Sequence, residues 1–238
     1  MKKILHPAKN RGTANFGWLQ ANYSFSFANY FNPERIQFGK LRVLNDDQVD
    51  ASMGFGKHPH KNMEIVTIPQ SGALKHQDSM GNNGIIESGD IQVMSAGTGV
   101  EHSEVNASTT EPVTLFQIWV IPEKEDVSPR YDQKKIAPLL HDNSFSTIVK
   151  PKSEAQENEL WIHQQAYFSI GKFSEKTETN YSLHNKSHGV YVFVINGTIL
   201  VDNETLSKRD AIGIWDTNTI AITAHKNSHV LLIEVPMN

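Results

Sequence analysis

Apolar residues in this chain fall into short runs, rich in β-branched and aromatic side chains, that break off at Gly, Asn, Asp or Ser. "MEIVTI", "IIESGDIQVMS", "VTLFQIWVI", "VYVFVI", "GTILV", "AIGIWD", "TIAITA" and "HVLLIEV" each have the length and composition of a β-strand. Between them stand "PQSG", "SMGNNG", "SAGTG", "INGT", "DNET" and "DTNT", which carry the residues that tight turns require. Helical periodicity is almost missing; "YDQKKIAPLL" and "PKSEAQENEL" are read as a short helix or a loop. The pattern predicts an all-β chain of the barrel or sandwich sort.

The halves resemble each other. "IESGDIQVMSAGTGVEH" runs against "LSKRDAIGIWDTNTIAI" at an offset of 120 residues, and "HPHKNMEIVTIPQSG" against "LHNKSHGVYVFVING" at 125, which sets Gly72 on Gly197. A hairpin five residues shorter in the second half accounts for the difference. Two consecutive barrels are expected, one in residues 1–132 and one in 133–238.

Charge and composition narrow the function classes. A net charge of −4 supplies no basic stripe, so direct nucleic-acid binding is not expected. No apolar run reaches bilayer length, and the basic start "MKKILHPAKNRG" lacks the apolar core of a secretory signal; no membrane association and a cytoplasmic location are expected. With no cysteine and 11 histidines, any metal must be held by nitrogen and oxygen.

Two segments concentrate those donors. His58 and His60 stand one residue apart in "GFGKHPHKNMEIV", as do His102 and Glu104 in "AGTGVEHSEV". Positions i and i+2 of a strand share a face, so each pair projects together, and two strands facing across a barrel interior would gather four donors. Three imidazoles and a carboxylate suit Fe, Ni, Co, Cu, Mn or Zn. Pro59 lacks an N–H and belongs at a strand start or edge. Glu64 shares the parity of His58 and His60 and is not excluded by spacing.

The run from Gly54 to Gly72 resembles the first cupin motif, and "GDIQVMSAGTGVEHSE" the second motif in its pirin form. "HPHKNMEIVT", "HQDSMGN", "QIWVIPEKEDVSPRY" and "FSFANYFNPERIQFGKLRVLNDD" are similar to the bacterial pirins that include quercetin dioxygenases. The likeness is dense over residues 12–132 and thinner beyond. It implies a bicupin of two double-stranded β-helix barrels, with one divalent transition metal, Fe(II) first, on His58, His60, His102 and Glu104. Many cupins take the carboxylate from the first motif, here Glu64; pirins use the one equivalent to Glu104. The implied activity is dioxygen-dependent opening of a flavonol or enediol-like substrate such as quercetin, with Glu104 as general base. Its rivals are a redox-sensitive regulatory protein acting through protein partners, as eukaryotic pirins do, and a storage or scaffold bicupin with a structural metal.

Other residues are expected to be structural. His76 is read as a strand or rim residue, and Gln117 and Trp119 as core. Met94, Phe55 and Met63 are read as core that could also line a pocket. His184 and His188 only superficially look like a metal pair. The repeat register sets Leu183, Asn185, Ile222 and Ala224 at the ligand positions, so the second barrel is expected to hold no metal.

Overall fold

The computed structural model describes all residues from Met1 to Asn238. The strands form four sheets, in two pairs that repeat one another. In the first pair a four-stranded sheet runs in the order Gly54–His60, Val100–Asn106, Ala73–Asp78, Asn83–Glu87. Its seven-stranded companion begins Arg130–Lys135, Asp90–Ser95, Glu64–Ser71, Val113–Val120, Leu41–Val49 and ends Leu19–Tyr23, Gly12–Asn15. The second pair sets Thr177–Ser182, Thr219–Ala224, Thr198–Val201 and Glu204–Ser207 against a sheet centred on His188–Asn196 and Ser228–Pro236. This is the expected all-β architecture of two jelly-roll barrels. No helix is long and apolar enough to cross a membrane.

The shorter hairpin lies where the offsets place it: Ala73–Glu87 in the first barrel matches Thr198–Ser207 in the second. Gly72 and Gly197 precede these hairpins with φ of 70° and 82°, a conformation that suits glycine. At the ligand strand the register differs from the sequence alignment. His58 pairs with His102 and His60 with Val100, whereas Thr179 pairs with Ile222 and Tyr181 with Ile220. The counterparts of His58 and His60 are therefore Thr179 and Tyr181, not Leu183 and Asn185. The turn after the second-barrel strand is longer, so the 125-residue offset does not extend back to that strand.

Two strands cross the division at residue 132. Arg130–Lys135 pairs with Asp90–Ser95 of the first barrel, and "YDQKKIAPLL" is thus strand followed by a single 3-10 turn at Ala137–Leu139. Lys2–His6 pairs with Ala211–Trp215, so the first strand of the chain edges the second barrel's sheet. Its pattern does not mark it as a strand, because four of its five residues are exposed and no alternation runs through it.

The largest apolar core lies between the barrels. Its residues come from the outer faces of both seven-stranded sheets, among them Leu44, Val66, Phe116 and Ile118 against Ile170, Phe193, Leu231 and Ile233. Phe116 and Phe193 meet edge to face at 5.4 Å. Beside them Asp46 accepts hydrogen bonds from Arg209 Nε at 2.8 Å and Arg11 Nη1 at 3.2 Å, and each guanidinium lies over one of those two rings. Asp46→Ala would strand two largely buried guanidinium groups. A loss of about 3 kcal/mol is expected, read as a lower urea midpoint; an unchanged midpoint would show the cluster to be dispensable.

Candidate metal centre

The inner sheet of the first barrel brings the two dyads together. They do not face each other across the interior as expected but lie side by side, because Gly54–His60 and Val100–Asn106 are hydrogen-bonded neighbours. Gly54–His60 is an edge strand, which accommodates Pro59. Between the His102 and Glu104 positions the ladder carries a bulge on the Gly54–His60 strand. The extra residue reverses parity, so Phe55 joins His58 and His60 on the inner side. The same bulge leaves the Gly56 carbonyl free to accept the His58 Nδ1 proton at 2.7 Å. His58 then offers Nε2 as a lone pair. Gly54 is required here, since a Cβ would collide with the Glu104 carbonyl.

Three imidazoles converge. The rings of His58, His60 and His102 stand 4.5–4.9 Å apart, with ligand atoms all within 4.8 Å of one another. Both nitrogens of His102 are buried without a hydrogen-bond partner. Burial, with the neighbouring imidazoles, pushes the pKa of His60 down to about 4 and that of His102 to about 2, so both rings are neutral. Unpaired neutral imidazoles at this spacing fit a divalent ion.

Glu104 is fully enclosed on the same strand. It accepts hydrogen bonds from Gln117 Nε2 at 2.7 Å and from Thr67 Oγ1 at 3.3 Å. Burial raises its pKa to about 7 against those two bonds. Its carboxylate comes within 4.8 Å of ligand atoms of His102 and His76, a second group that shares His102 with the first. His76 lies in a strand, as expected, though not at a rim: it is fully buried, pairs across the ladder with Glu104, and gives its Nε2 proton to Asp78 at 3.3 Å. Its Nδ1 is buried and unpaired.

Glu64 is elsewhere. The chain turns at Asn62 (φ 50°) before Glu64 begins the next strand, which ends the shared parity. Its carboxylate takes a hydrogen bond from Ser95 at 2.7 Å, and burial raises its pKa to about 7. Met94 and Met63 pack in a small apolar cluster with Ile65 and Val100.

A cavity of about 210 Å³ opens beside the imidazoles, lined by Phe27, Asn45, Asp47, Phe55, Gln117 and Trp119 together with His58, His60 and Glu104. Gln117 and Trp119 are therefore pocket residues rather than plain core. Gln92, Thr67, Gln117 and Asn45 form one cross-strand row, a polar stripe on the inner face of the outer sheet. Trp119 meets His60 edge to face at 5.0 Å and Phe27 at 5.3 Å. Burial, then the charges of Asp46 and Glu104, raises Asp47 to about 8. A larger cleft of about 960 Å³, lined by Arg130, Lys152, Trp161 and His163, does not reach the imidazoles.

In the second barrel the interior is filled by Ile199, Ile212, Ile220, Ile222 and their neighbours. His184 and His188 both donate from Nδ1 to Glu234 at 2.8 Å. Burial works to raise the Glu234 pKa, but hydrogen bonds from His184, His188 and Tyr181 pull it down to about 2.

Fold and centre together define a bicupin with a histidine-rich site in its first barrel. The chain belongs to the pirin family: the Pirin family model matches residues 5–120, and the model described as quercetinase C-terminal cupin domain matches residues 149–235. It is 38% identical to a quercetin 2,3-dioxygenase of Escherichia coli K12, over 98% of each chain. It is 36% identical to a pirin-like protein of Caulobacter vibrioides, over 96% of this chain and 97% of that one. The bacterial pirin YhhW from Escherichia coli, in complex with nickel(II), matches with a TM-score of 0.91 at 37% identity over 99% of each chain.

In the metal-free protein the buried imidazoles and the buried carboxyls pull in opposite directions as pH falls. Asp47, Glu64 and Glu104, with raised pKa, bind extra protons when folded, whereas His60 and His102 bind fewer. His60 and His102 take up protons near pH 6.5 when unfolded, but only near pH 4 and pH 2 when folded. Below 6.5 these two rings bind more protons in the unfolded chain, so each removes up to about 1.4 kcal/mol per pH unit. From pH 7 down to pH 5 the urea midpoint of His102→Asn should therefore rise relative to that of the wild type; a difference that does not change with pH would contradict it.

Proposed function

We propose that the protein is a metal-dependent dioxygenase that opens flavonol-type substrates such as quercetin, with one divalent ion, iron(II) foremost, held by His58, His60, His102 and Glu104. One observation carries this reading: three imidazoles converge beside a cavity, and the most buried of them has both nitrogens unpaired. The names of the relatives support the substrate class.

An ion bound there supplies a Lewis acid for a chelating oxygen pair, which a flavonol presents as its 3-hydroxyl and 4-carbonyl. The remaining work falls to the chain. Glu104 accepts the 3-hydroxyl proton, and Gln117 and Thr67, each bonded to one of its oxygens, fix the carboxylate in the cavity wall. Phe27, Phe55 and Trp119 hold an aromatic ring and keep water from the reacting edge. A cavity of about 210 Å³ receives that edge rather than the whole flavonol. The heterocycle then takes up one dioxygen and releases one carbon monoxide.

Elemental analysis should find one ion per chain. Glu104→Gln should weaken metal retention and lower kcat by roughly 10²–10⁴, while Glu64→Gln keeps the ion. Loss of metal from Glu64→Gln with retention in Glu104→Gln would reverse the ligand assignment.

Oxygen uptake with carbon monoxide release is expected for quercetin, with neither from the flavone that lacks the 3-hydroxyl nor from His102→Ala. Metal-loaded protein that leaves quercetin untouched in air, across Fe, Ni, Co, Mn and Cu, would remove the dioxygenase reading. The regulatory role through protein partners would then stand ahead.

A further inference from the structure

The cleft of about 960 Å³ lies where residues 123–130, leaving the first barrel, run beside residues 152–165, entering the second. Its walls are tied across that junction. The His163 carbonyl accepts the Glu123 N–H at 2.8 Å, and the His163 N–H is given to the Glu64 carboxyl. Gln164 reaches back to the Ile121 carbonyl at 2.8 Å. A preformed cleft of this volume between two domains has the dimensions of a small-molecule site.

Cations gather in it. Lys124, Arg130 and Lys152 all line the cleft, and two of them meet at one ring: the Arg130 guanidinium lies 3.7 Å and Lys152 Nζ 5.0 Å from the centre of Trp161. Burial, then the charges of Lys152, Arg130 and Lys124, hold the His163 pKa down, with Glu123 opposing them. The acids of the cleft are engaged: Asp126 pairs with Lys61 at 3.4 Å, and Glu123 accepts from Gln165 at 3.0 Å. Arg130 is engaged too, donating to the Trp161 carbonyl at 2.8 Å and to Asp132 at 3.2 Å. Lys124 and Lys152, unlike their neighbours Lys61, Arg130 and Lys150, have no carboxylate partner.

We propose that this cleft binds the phosphate monoester of a small polar metabolite, with Lys124 and Lys152 as the counter-charges of the phosphate. The donors present favour phosphate over carboxylate. A planar carboxylate is best gripped by a guanidinium fork, and the fork of Arg130 is already occupied. Lysines act as point charges, which a compact dianion satisfies from any side. Only three of the 14 lining residues are hydrophobic, so the body of the ligand is polar rather than hydrocarbon. Ser128 and Ser153 add hydroxyls to the lining. The cleft does not include the imidazoles, so this inference stands apart from the reaction proposed above.

The test is calorimetric titration of the full chain at low salt with glucose 6-phosphate and with AMP. Glucose, adenosine and inorganic phosphate serve as controls. At least one ester should bind saturably, one per chain and about tenfold or more tightly than inorganic phosphate, while its unphosphorylated parent does not bind. The tighter ester identifies the body as sugar or nucleoside. Lys124→Ala and Lys152→Ala should each weaken it about tenfold, and Lys152→Arg should keep most of the affinity. Both lysines are exposed, so folding is not at stake. Lys176→Ala removes the same charge from an exposed pair with Glu178 outside the cleft, and should change nothing. Affinity should also survive removal of metal by a chelator. Absence of saturable binding by both esters, or inorganic phosphate bound as tightly, would overturn the inference. So would an equal loss in Lys176→Ala, or affinity that disappears with the metal.

Discussion

The antiparallel pairing of Gly54–His60 with Val100–Asn106 is the constraint on which the centre depends. Neither dyad is a site alone, since two donors one residue apart reach only one side of an ion. Setting His58 opposite His102 supplies the third imidazole from a strand some forty residues away. The bulge at Gly56 then serves two ends: it frees a carbonyl to fix the His58 tautomer, and it swings Phe55 inward as a wall. A register slip of one residue would turn the imidazoles outward. The tight approach of Gly54 to the Glu104 backbone opposes such a slip.

The outer sheet answers with a second alternation. Leu41–Val49 is buried on both faces, so each residue serves one of two interiors. Asp46 points between the barrels and holds Arg11 and Arg209, while Asn45 and Asp47 point into the cavity. Docking of the barrels and shape of the cavity thus hang on one strand. The negative charge of Asp46 also helps keep the Asp47 carboxyl protonated across the sheet.

What could be read from the sequence was local in the chain. His58, His60, His102 and Glu104 stand in i, i+2 pairs, a spacing that survives any arrangement of the strands. His76, Gln117 and Trp119 sit in runs that look like core or rim, and only cross-ladder pairing reveals that they face the same interior. Asn45 and Asp47 left a trace: two polar residues at alternate positions in "RVLNDDQV", where an apolar pair would be cheaper. Without knowing which face of that strand is inside, "NDD" reads as a turn or a solvated edge. Glu64 shows the limit of that spacing. Its parity was right, but parity lapses where the chain leaves the strand at Asn62.

The second barrel shows what the fold requires once chemistry is removed. At the positions of His102 and Glu104 it has Ile222 and Ala224, and its interior closes on aliphatic side chains. Histidines persist nearby, but they turn to one carboxylate: Glu234 accepts an Nδ1–H hydrogen bond from each of His184 and His188, and Tyr167 stacks on His184 at 3.6 Å. In the first barrel the carboxylate Glu104 accepts from an amide and a hydroxyl, and His58 gives its Nδ1 proton to a backbone carbonyl. The two clusters differ in what converges. The second barrel brings two Nδ1–H groups onto one carboxylate. The first brings three rings onto one another, with ligand atoms within 4.8 Å, and a ring that donates from Nδ1 still offers Nε2 there.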